Sequence, residues 1–310
     1  MIIIRYRGGL GNQMFQYAFS LALQKKYKGV PVLADITHYR MIGEHNGFEL
    51  EQVFDIELPV ASKKEIKQVS PYYVPPVYYD KLPVSLKGFV ANNLQYKFWE
   101  RQKSRKSRVY YKQEYHSSYE PNVFELDSGQ DWYVDGLWQD LRYFEACREE
   151  VRTAFQFQNE RLYTEYDRKM LNEIKESCSV GVHVRRGDFV NSKFDLCGQV
   201  YYKEAIRKIE QYLDNPIFFF FSDDPEYVEA QFREIENKKI IRHDVKSSIL
   251  DMEMLSLCQH VVISNSTFAL WAAWLGDTEE RLVIAPEYSI VNHGKKYELN
   301  VPQHWIQLNI

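Results

Sequence analysis

The chain has 310 residues, 45% of them hydrophobic and 26% charged, with 39 Lys+Arg against 43 Asp+Glu. Those proportions describe a globular protein with room for about two domains and exclude a disordered chain. A net charge of −4 excludes a broad basic face of the kind that grips nucleic acid. Aromatic residues are over-supplied: 23 Tyr, 18 Phe and 6 Trp make up 15% of the chain. That surplus suits either a thick aromatic core or rings presented to sugars and nucleotides.

Residues 2–6 read as a buried strand, followed by Gly8-Gly9-Leu10-Gly11-Asn12 and a helix on which Phe15, Ala18, Phe19, Ala22 and Leu23 share one face. Residues 30–35 form a second strand, so the chain opens β–loop–α–β. The apolar run at Ile2–Ile4 is too short for a signal peptide, and no stretch approaches the roughly 20 apolar residues that span a bilayer. Cys147, Cys178, Cys197 and Cys258 form no C-x-x-C pair, which favours a reducing compartment. A soluble, cytoplasmic protein is expected.

From about 55 to 130 the pattern degrades: Pro71, Pro75, Pro76 and Pro83 lie among tyrosines, and a basic run extends from Arg101 to Arg108. The run suits a solvated face or loop better than a binding patch. No element order is expected there. After a helix marked by Leu162, Tyr166, Met170 and Ile174, strands and helices alternate: strand 179–184, helix 201–213, strand 217–222, helix 225–235, strand 239–243, helix 249–259, strand 260–264, helix 267–275 and strand 281–285. Five short apolar runs separated by helices predict βαβ units and a parallel sheet. The fold class is α/β, with two domains placed at 1–165 and 166–310.

Ligands of open α/β sheets bind beyond the carboxyl ends of the strands, so the loops there are the ones to inspect. His183-Val184-Arg185-Arg186-Gly187-Asp188 closes one strand. An arginine fork matches phosphate oxygens, and an Arg–Asp ion pair is the alternative reading. Ser222-Asp223-Asp224-Pro225 closes the next strand; one aspartate caps the following helix, and one can accept hydrogen bonds from a guanine ring. Ser264-Asn265-Ser266-Thr267-Phe268 opens the helix at 267, as an anion site or an ordinary cap. The N-terminal loop misses the dinucleotide fingerprint, because Met14 stands where G-x-G-x-x-G needs its third glycine. The chain has no G-x-x-x-x-G-K-[ST], G-x-S-x-G, H-E-x-x-H or D-x-D. Without D-x-D, a bound diphosphate would be neutralised by arginines and helix dipoles.

Taken together, Gly8–Ala18, His183–Asp188, Ile263–Ala273 and Pro302-x-x-Trp305 resemble the bacterial α-1,2-fucosyltransferases of glycosyltransferase family 11. The resemblance implies two Rossmann-like domains facing across a cleft, of GT-B type, and inverting, metal-independent transfer of L-fucose from GDP-fucose, with no cofactor. It implies that the second domain holds the donor, with Arg185 on the β-phosphate and His183 and Asp223 or Asp224 near the guanine. Ser266 and Thr267 would contact phosphate, with Arg186 and Phe268 beside them. Asp188 is a candidate base or an orienting partner of Arg185, since Lys193 occupies the position at which related enzymes carry a Glu base. The loop with Gly9, Gly11, Asn12 and Gln13 would project into the cleft and orient acceptor or fucose. The family's usual acceptor is a terminal β-galactoside of a surface polysaccharide or O-antigen, which allows peripheral association with the membrane face. An α-1,3 linkage, a different nucleotide sugar, and a non-catalytic carbohydrate-binding module are the competing readings.

Overall fold

The computed structural model describes residues 1–41, 46–70, 82–83, 86, 110–113, 119–158, 163–243 and 248–310. The chain forms two compact units, Met1–Gln156 and Phe157–Ile310. Leu162, most of the proline- and tyrosine-rich stretch after 70, and Arg101–Arg108 lie outside the described residues.

In the first unit, β1 (Ile2–Arg5) is followed by α1 (Leu10–Lys26), β2 (Val32–Asp35), three short helices α2 (Thr37–Met41), α3 (Leu50–Phe54) and α4 (Lys63–Val69), then β3 (Tyr110–Lys112), β4 (Trp132–Asp135) and α5 (Arg148–Ala154). The sheet order is β2-β1-β4-β3 and every pairing is parallel. Ile2, Ile3 and Ile4 are all buried, as a central parallel strand with both faces covered requires. The chain can turn from β1 into α1 because Gly8 has φ +82°, and a Cβ there would come within 2.2 Å of Asn12 Nδ2. Helix α1 buries Met14, Phe15, Ala18, Phe19 and Leu23, and carries Lys25 and Lys26 in its last turn, where cations suit the helix dipole. Its aromatic residues meet others from distant segments. Phe19 stacks on Trp138 at 4.1 Å and meets Tyr143 edge-on at 5.4 Å, while Tyr17 and Phe54 both pack on Phe155. Here the aromatic surplus builds core.

The second unit holds α6 (Glu165–Glu176), β5 (Ser179–Val184), α7 (Gln199–Glu210), β6 (Ile217–Ser222), α8 (Pro225–Gln231), β7 (Lys238–Ile240), α9 (Ser248–Leu257), β8 (His260–Val262), α10 (Thr267–Leu275), β9 (Val283–Pro286), the hairpin β10 (Tyr288–Asn292) and β11 (Lys295–Glu298), and β12 (Ile306–Leu308). Six strands form a parallel sheet in the order β12-β9-β8-β5-β6-β7. Counted from β5, this is the doubly wound order 3-2-1-4-5-6, whose direction reverses between β5 and β8. All six residues of β5 are buried. Val180, Val182 and Val184 pack with Phe218 and Phe220 of β6, Tyr202 and Ile206 of α7, and Phe232 in one core.

The α/β class with parallel sheets is what the alternating pattern predicts. The differences are local. Strand β8 stops at Val262 and helix α8 at Gln231, both earlier than the apolar runs suggest. Strand β12 and the β10–β11 hairpin escaped the pattern because short or half-exposed strands carry little periodicity. Helix α4 had a readable start: Ser62 and Glu65 form a reciprocal capping box. Among the described residues no helix is long and apolar enough to cross a membrane.

Candidate functional site

The strand-order reversal of the second unit lies between β5 and β8, and the ends of these two strands with the loops after them carry the predicted His183–Asp188 and Ser264–Phe268 motifs. His183, next to last in β5, is 7% exposed, and its Nδ1 lies 2.9 Å from Ser264 Oγ beyond β8. Ser264 Oγ in turn accepts the Ser266 N–H at 3.3 Å. Burial, reinforced by the positive charge of Arg185, pushes the His183 pKa down to about 3, so the ring is neutral at physiological pH. Phe268 lies against the ring, 5.6 Å between centroids.

Arg185 is held by two carboxylates: Nη2 donates to Asp188 Oδ1 at 2.6 Å and Nη1 contacts Asp223 Oδ2 at 2.8 Å. Its guanidinium also lies 5.6 Å from the Phe189 ring. Asp223 Oδ1 accepts the backbone N–H of Arg186 at 2.8 Å, so both of its oxygens are engaged. The Arg186 guanidinium covers the Tyr227 ring at 4.1 Å, with Asp195 4.0 Å from Nη1. Asp224 is the cap of α8 and accepts the Tyr227 N–H at 3.0 Å. The two adjacent aspartates thus divide into a cap and an ion-pair partner. The Arg–Asp ion pair is therefore present, and any phosphate that reached Arg185 would have to share it with these carboxylates or displace one.

Across the reversal, α10 starts at Thr267 with Ser266 as its N-cap residue in extended conformation. The Ser266 side chain makes no capping hydrogen bond, so the helix's first turn is not closed by the ordinary hydroxyl cap. Ser266 is buried and Thr267 and Phe268 half-buried. Deeper in the helix, Trp271 and Trp274 are buried and meet edge-on, so Trp271 is a packing residue.

The sequence pattern missed a group at the same sheet edge. His243, just past β7, is clamped between Asp167 Oδ1 at 2.7 Å from Nδ1 and Asp251 Oδ1 at 2.9 Å from Nε2. Burial opposes a charge on this ring, but the Asp251 and Asp167 carboxylates outweigh it and raise the pKa. Burial raises that of Asp251, and the Asp223 carboxylate adds to the rise, which couples this cluster electrically to the partner of Arg185. Asp167 and His243 are 76 residues apart, beyond any local pattern. The only local signal was the capping box of Thr164 with Asp167 at the start of α6.

The glycine loop of the first unit is built differently from the expectation. Gln13 is fully buried; its Nε2 donates to Gly8 O at 3.1 Å and Gly47 O at 2.9 Å, and its Oε1 accepts from the Glu49 and Leu50 N–H groups at 2.9 and 3.2 Å. Those four bonds exhaust the amide, so Gln13 is a staple between α1 and the 47–50 segment and has nothing left to orient a substrate. Gly9 closes the start of α1 by accepting from the Asn12 and Gln13 N–H groups, and Gly11 is buried within the helix. Asn12 Oδ1 accepts from Gln139 Nε2 at 2.6 Å.

Among the described residues no cluster of three or more His, Cys, Asp or Glu side chains is arranged to hold a metal ion. Arg185 and Arg186 after β5 and the N-terminus of α10 after β8 thus stand on either side of the sheet's reversal, with the neutral His183 imidazole between the two strand ends.

Residues 1–309 match the sequence model of Glycosyl transferase family 11. The chain is 29% identical to an alpha-1,2-colitosyltransferase of Escherichia coli over 99% of both chains. It is 27% identical to the Escherichia coli O-antigen biosynthesis glycosyltransferase WbnK over 93% of this chain and 94% of that one. Among solved structures, the NodZ alpha-1,6-fucosyltransferase soaked with GDP-fucose aligns with TM-score 0.47 at 16% identity, covering 88% of this chain and 92% of that one. With its sequence matched from the first strand to the last, the chain belongs to glycosyltransferase family 11.

Proposed function

We propose that this glycosyltransferase moves L-fucose from GDP-L-fucose to the 2-hydroxyl of a terminal β-galactoside, with inversion at the anomeric carbon and without a metal ion or other cofactor. The observation that supports the reading is that Arg185 and Arg186 after β5 face the β5/β8 reversal opposite the start of α10 after β8, the position at which sheets of this order take a nucleotide diphosphate. The 1,2 linkage is supported by the names of the relatives, among them galactoside α-(1,2)-fucosyltransferases that match about a third of the chain. In this reading the second unit carries the donor and the first serves the acceptor.

The chemistry follows from where charge develops. The acceptor oxygen attacks the anomeric carbon from the face opposite the phosphate, and the bond from that carbon to the β-phosphate oxygen breaks, so GDP leaves with the electron pair. Arg185 and the N–H groups opening α10 stabilise the negative charge growing on the phosphate more than they stabilise the ground state. Ser266 and Thr267 hold the same phosphate, Arg186 the diphosphate's other side, and His183 and Phe268 line the base side. Asp188 Oδ1 orients Arg185, and its Oδ2 is left to take the acceptor's proton as general base. The work is done in the cytoplasm, on acceptors presented at the membrane face.

One observation favours a second donor: the relative matching 99% of this chain is named for colitose, which is L-fucose without its 3-hydroxyl. The test is incubation with GDP-fucose or GDP-colitose and a panel of β-galactosides, with product linkage read by NMR. Transfer of fucose to O2 is expected. Transfer to O3, transfer of colitose alone, or glycan binding without nucleotide turnover would each replace the reading with a different one. GDP should raise the melting temperature and UDP should not.

A further inference from the structure

Asn265 stands between Ser264, which holds His183, and Ser266, which opens α10. It is 6% exposed. Its Nδ2 donates to Phe194 O at 3.0 Å and to Ser289 O at 2.9 Å, while its Oδ1 accepts from Cys197 Sγ at 3.5 Å. Two carbonyl oxygens facing one nitrogen fix the orientation of the amide, because only the NH2 end can donate to both. Three segments therefore meet at this side chain: the 187–198 loop, the start of α10, and β10. Loop and hairpin are joined a second time, by Val291 N–H to Lys193 O at 3.2 Å.

What that loop carries gives the contact its meaning. Asp188 and Phe189 hold the Arg185 guanidinium, and Phe194 stacks on Phe189 at 5.2 Å between centroids. Asp195 faces Arg186 and is itself fixed by the Asn191 N–H at 2.9 Å. The loop shares both guanidiniums with the segment after β6, where Asp223 holds Arg185 and Tyr227 lies under Arg186, and Asn265 fixes the loop against the first turn of α10. One amide thus ties the loop that carries Asp188 and Asp195 to the start of α10.

We infer that Asn265 is a positioning residue that holds the loop beside Arg185 and Arg186 against the α10 N-terminus, and so gives the site its preference for a nucleoside diphosphate over a monophosphate. The inference rests on the donor reading above. Asn265 itself touches no reacting atom.

The test is calorimetric titration of the full chain with GDP and with GMP, for the wild type, Asn265→Asp and Asn265→Ala, with thermal unfolding of each. Aspartate keeps the shape but sets an oxygen against two carbonyl oxygens; alanine removes the tether without adding repulsion and serves if the aspartate variant does not fold. GDP affinity should fall about tenfold or more in the variants while GMP affinity stays within about twofold, so the GDP-to-GMP ratio narrows. A merely structural residue would lower the melting temperature or weaken both nucleotides alike. A ratio equal to that of the wild type in a folded variant overturns the positioning role and leaves the donor reading intact. A wild type that does not bind GDP overturns the donor reading and this inference with it.

Discussion

His183 Nδ1 and Ser264 Oγ lie 2.9 Å apart, joining the strand ends between which the six-stranded sheet reverses its order. This bond ties the loop that carries the arginines to the loop that opens α10. It also places a neutral ring where a charged one would repel Arg185, and the low pKa is the mark of that arrangement.

The two site histidines make opposite contributions to stability as pH changes. His183 titrates near 3 in the fold, below the ordinary 6.5, so the unfolded chain binds a proton that the fold refuses. Its contribution is intact above about pH 6.5 and is lost on acidification, at up to about 1.4 kcal/mol per pH unit. Denaturant melts of His183→Gln should show a shallower loss of stability between about pH 6 and about pH 4 than the wild type. An identical pH dependence would mean that His183 is charged in the fold.

His243 runs the other way. Its folded pKa is raised above 6.5, so its contribution is fully present at lower pH and disappears as pH rises through the folded value. The stability gap between the wild type and His243→Gln should therefore be widest on the acid side and close on the alkaline side. A gap independent of pH would mean that the two carboxylates hold a neutral ring.

Arg185→Ala should lower kcat for fucosyl transfer on the order of a hundredfold to a thousandfold, the usual cost of removing a fixed donor from developing charge. Arg185→Lys should be nearly as impaired, since an ammonium cannot span Asp188, Asp223 and a phosphate as the fork does. Turnover close to normal in either variant would remove Arg185 from the phosphate.

Gln13→Leu takes the side-chain partner from Gly47 O and from the Glu49 and Leu50 N–H groups, while Gly8 O keeps Tyr39 Oη. The expected result is a loss of unfolding free energy on the order of 3 kcal/mol or more, seen as a lower melting temperature. A stable variant with only a raised acceptor KM would restore Gln13 to the substrate.

Arg281 is buried and donates to Leu255 O at 3.0 Å and Ala273 O at 3.2 Å, so it caps the carboxyl ends of α9 and α10 together; burial lowers its pKa to about 10. Gly276 makes room for it, since a Cβ there would stand 2.0 Å from both Arg281 Nη1 and Ser256 O. Gly276→Ala should destabilise by about 1–3 kcal/mol in denaturant melts, because one of those atoms is backbone and cannot step aside. An unchanged midpoint would show that the cap shifts freely.

Much of the second unit was legible. Strands β5 and β6 run where the apolar stretches predicted them, and Arg185, His183, Ser266 and Thr267 lie at strand and helix ends where the spacing put them. These features are local: a buried strand writes itself as a continuous apolar run, and a loop after it is found by counting. The first unit was less legible, because β4 sits beside β1 only by pairing across more than a hundred residues, and the short β3 joins the sheet only through β4.

By itself the sequence determined the α/β class, the family motifs and the places of His183, Arg185, Ser266 and Thr267 at strand and helix ends, since each depends on neighbours within a few positions. The tertiary structure alone decided how the strands are ordered, and hence that the β5 and β8 loops flank the reversal. It also decided that Asp223 pairs while Asp224 caps, that Gln13 is spent on the backbone, and that His243 is held by Asp167 and Asp251. The physical reason is common to all of them. Hydrogen-bond saturation and charge pairing depend on which distant groups arrive at bonding distance, and nothing in a residue's sequence neighbourhood records that arrival.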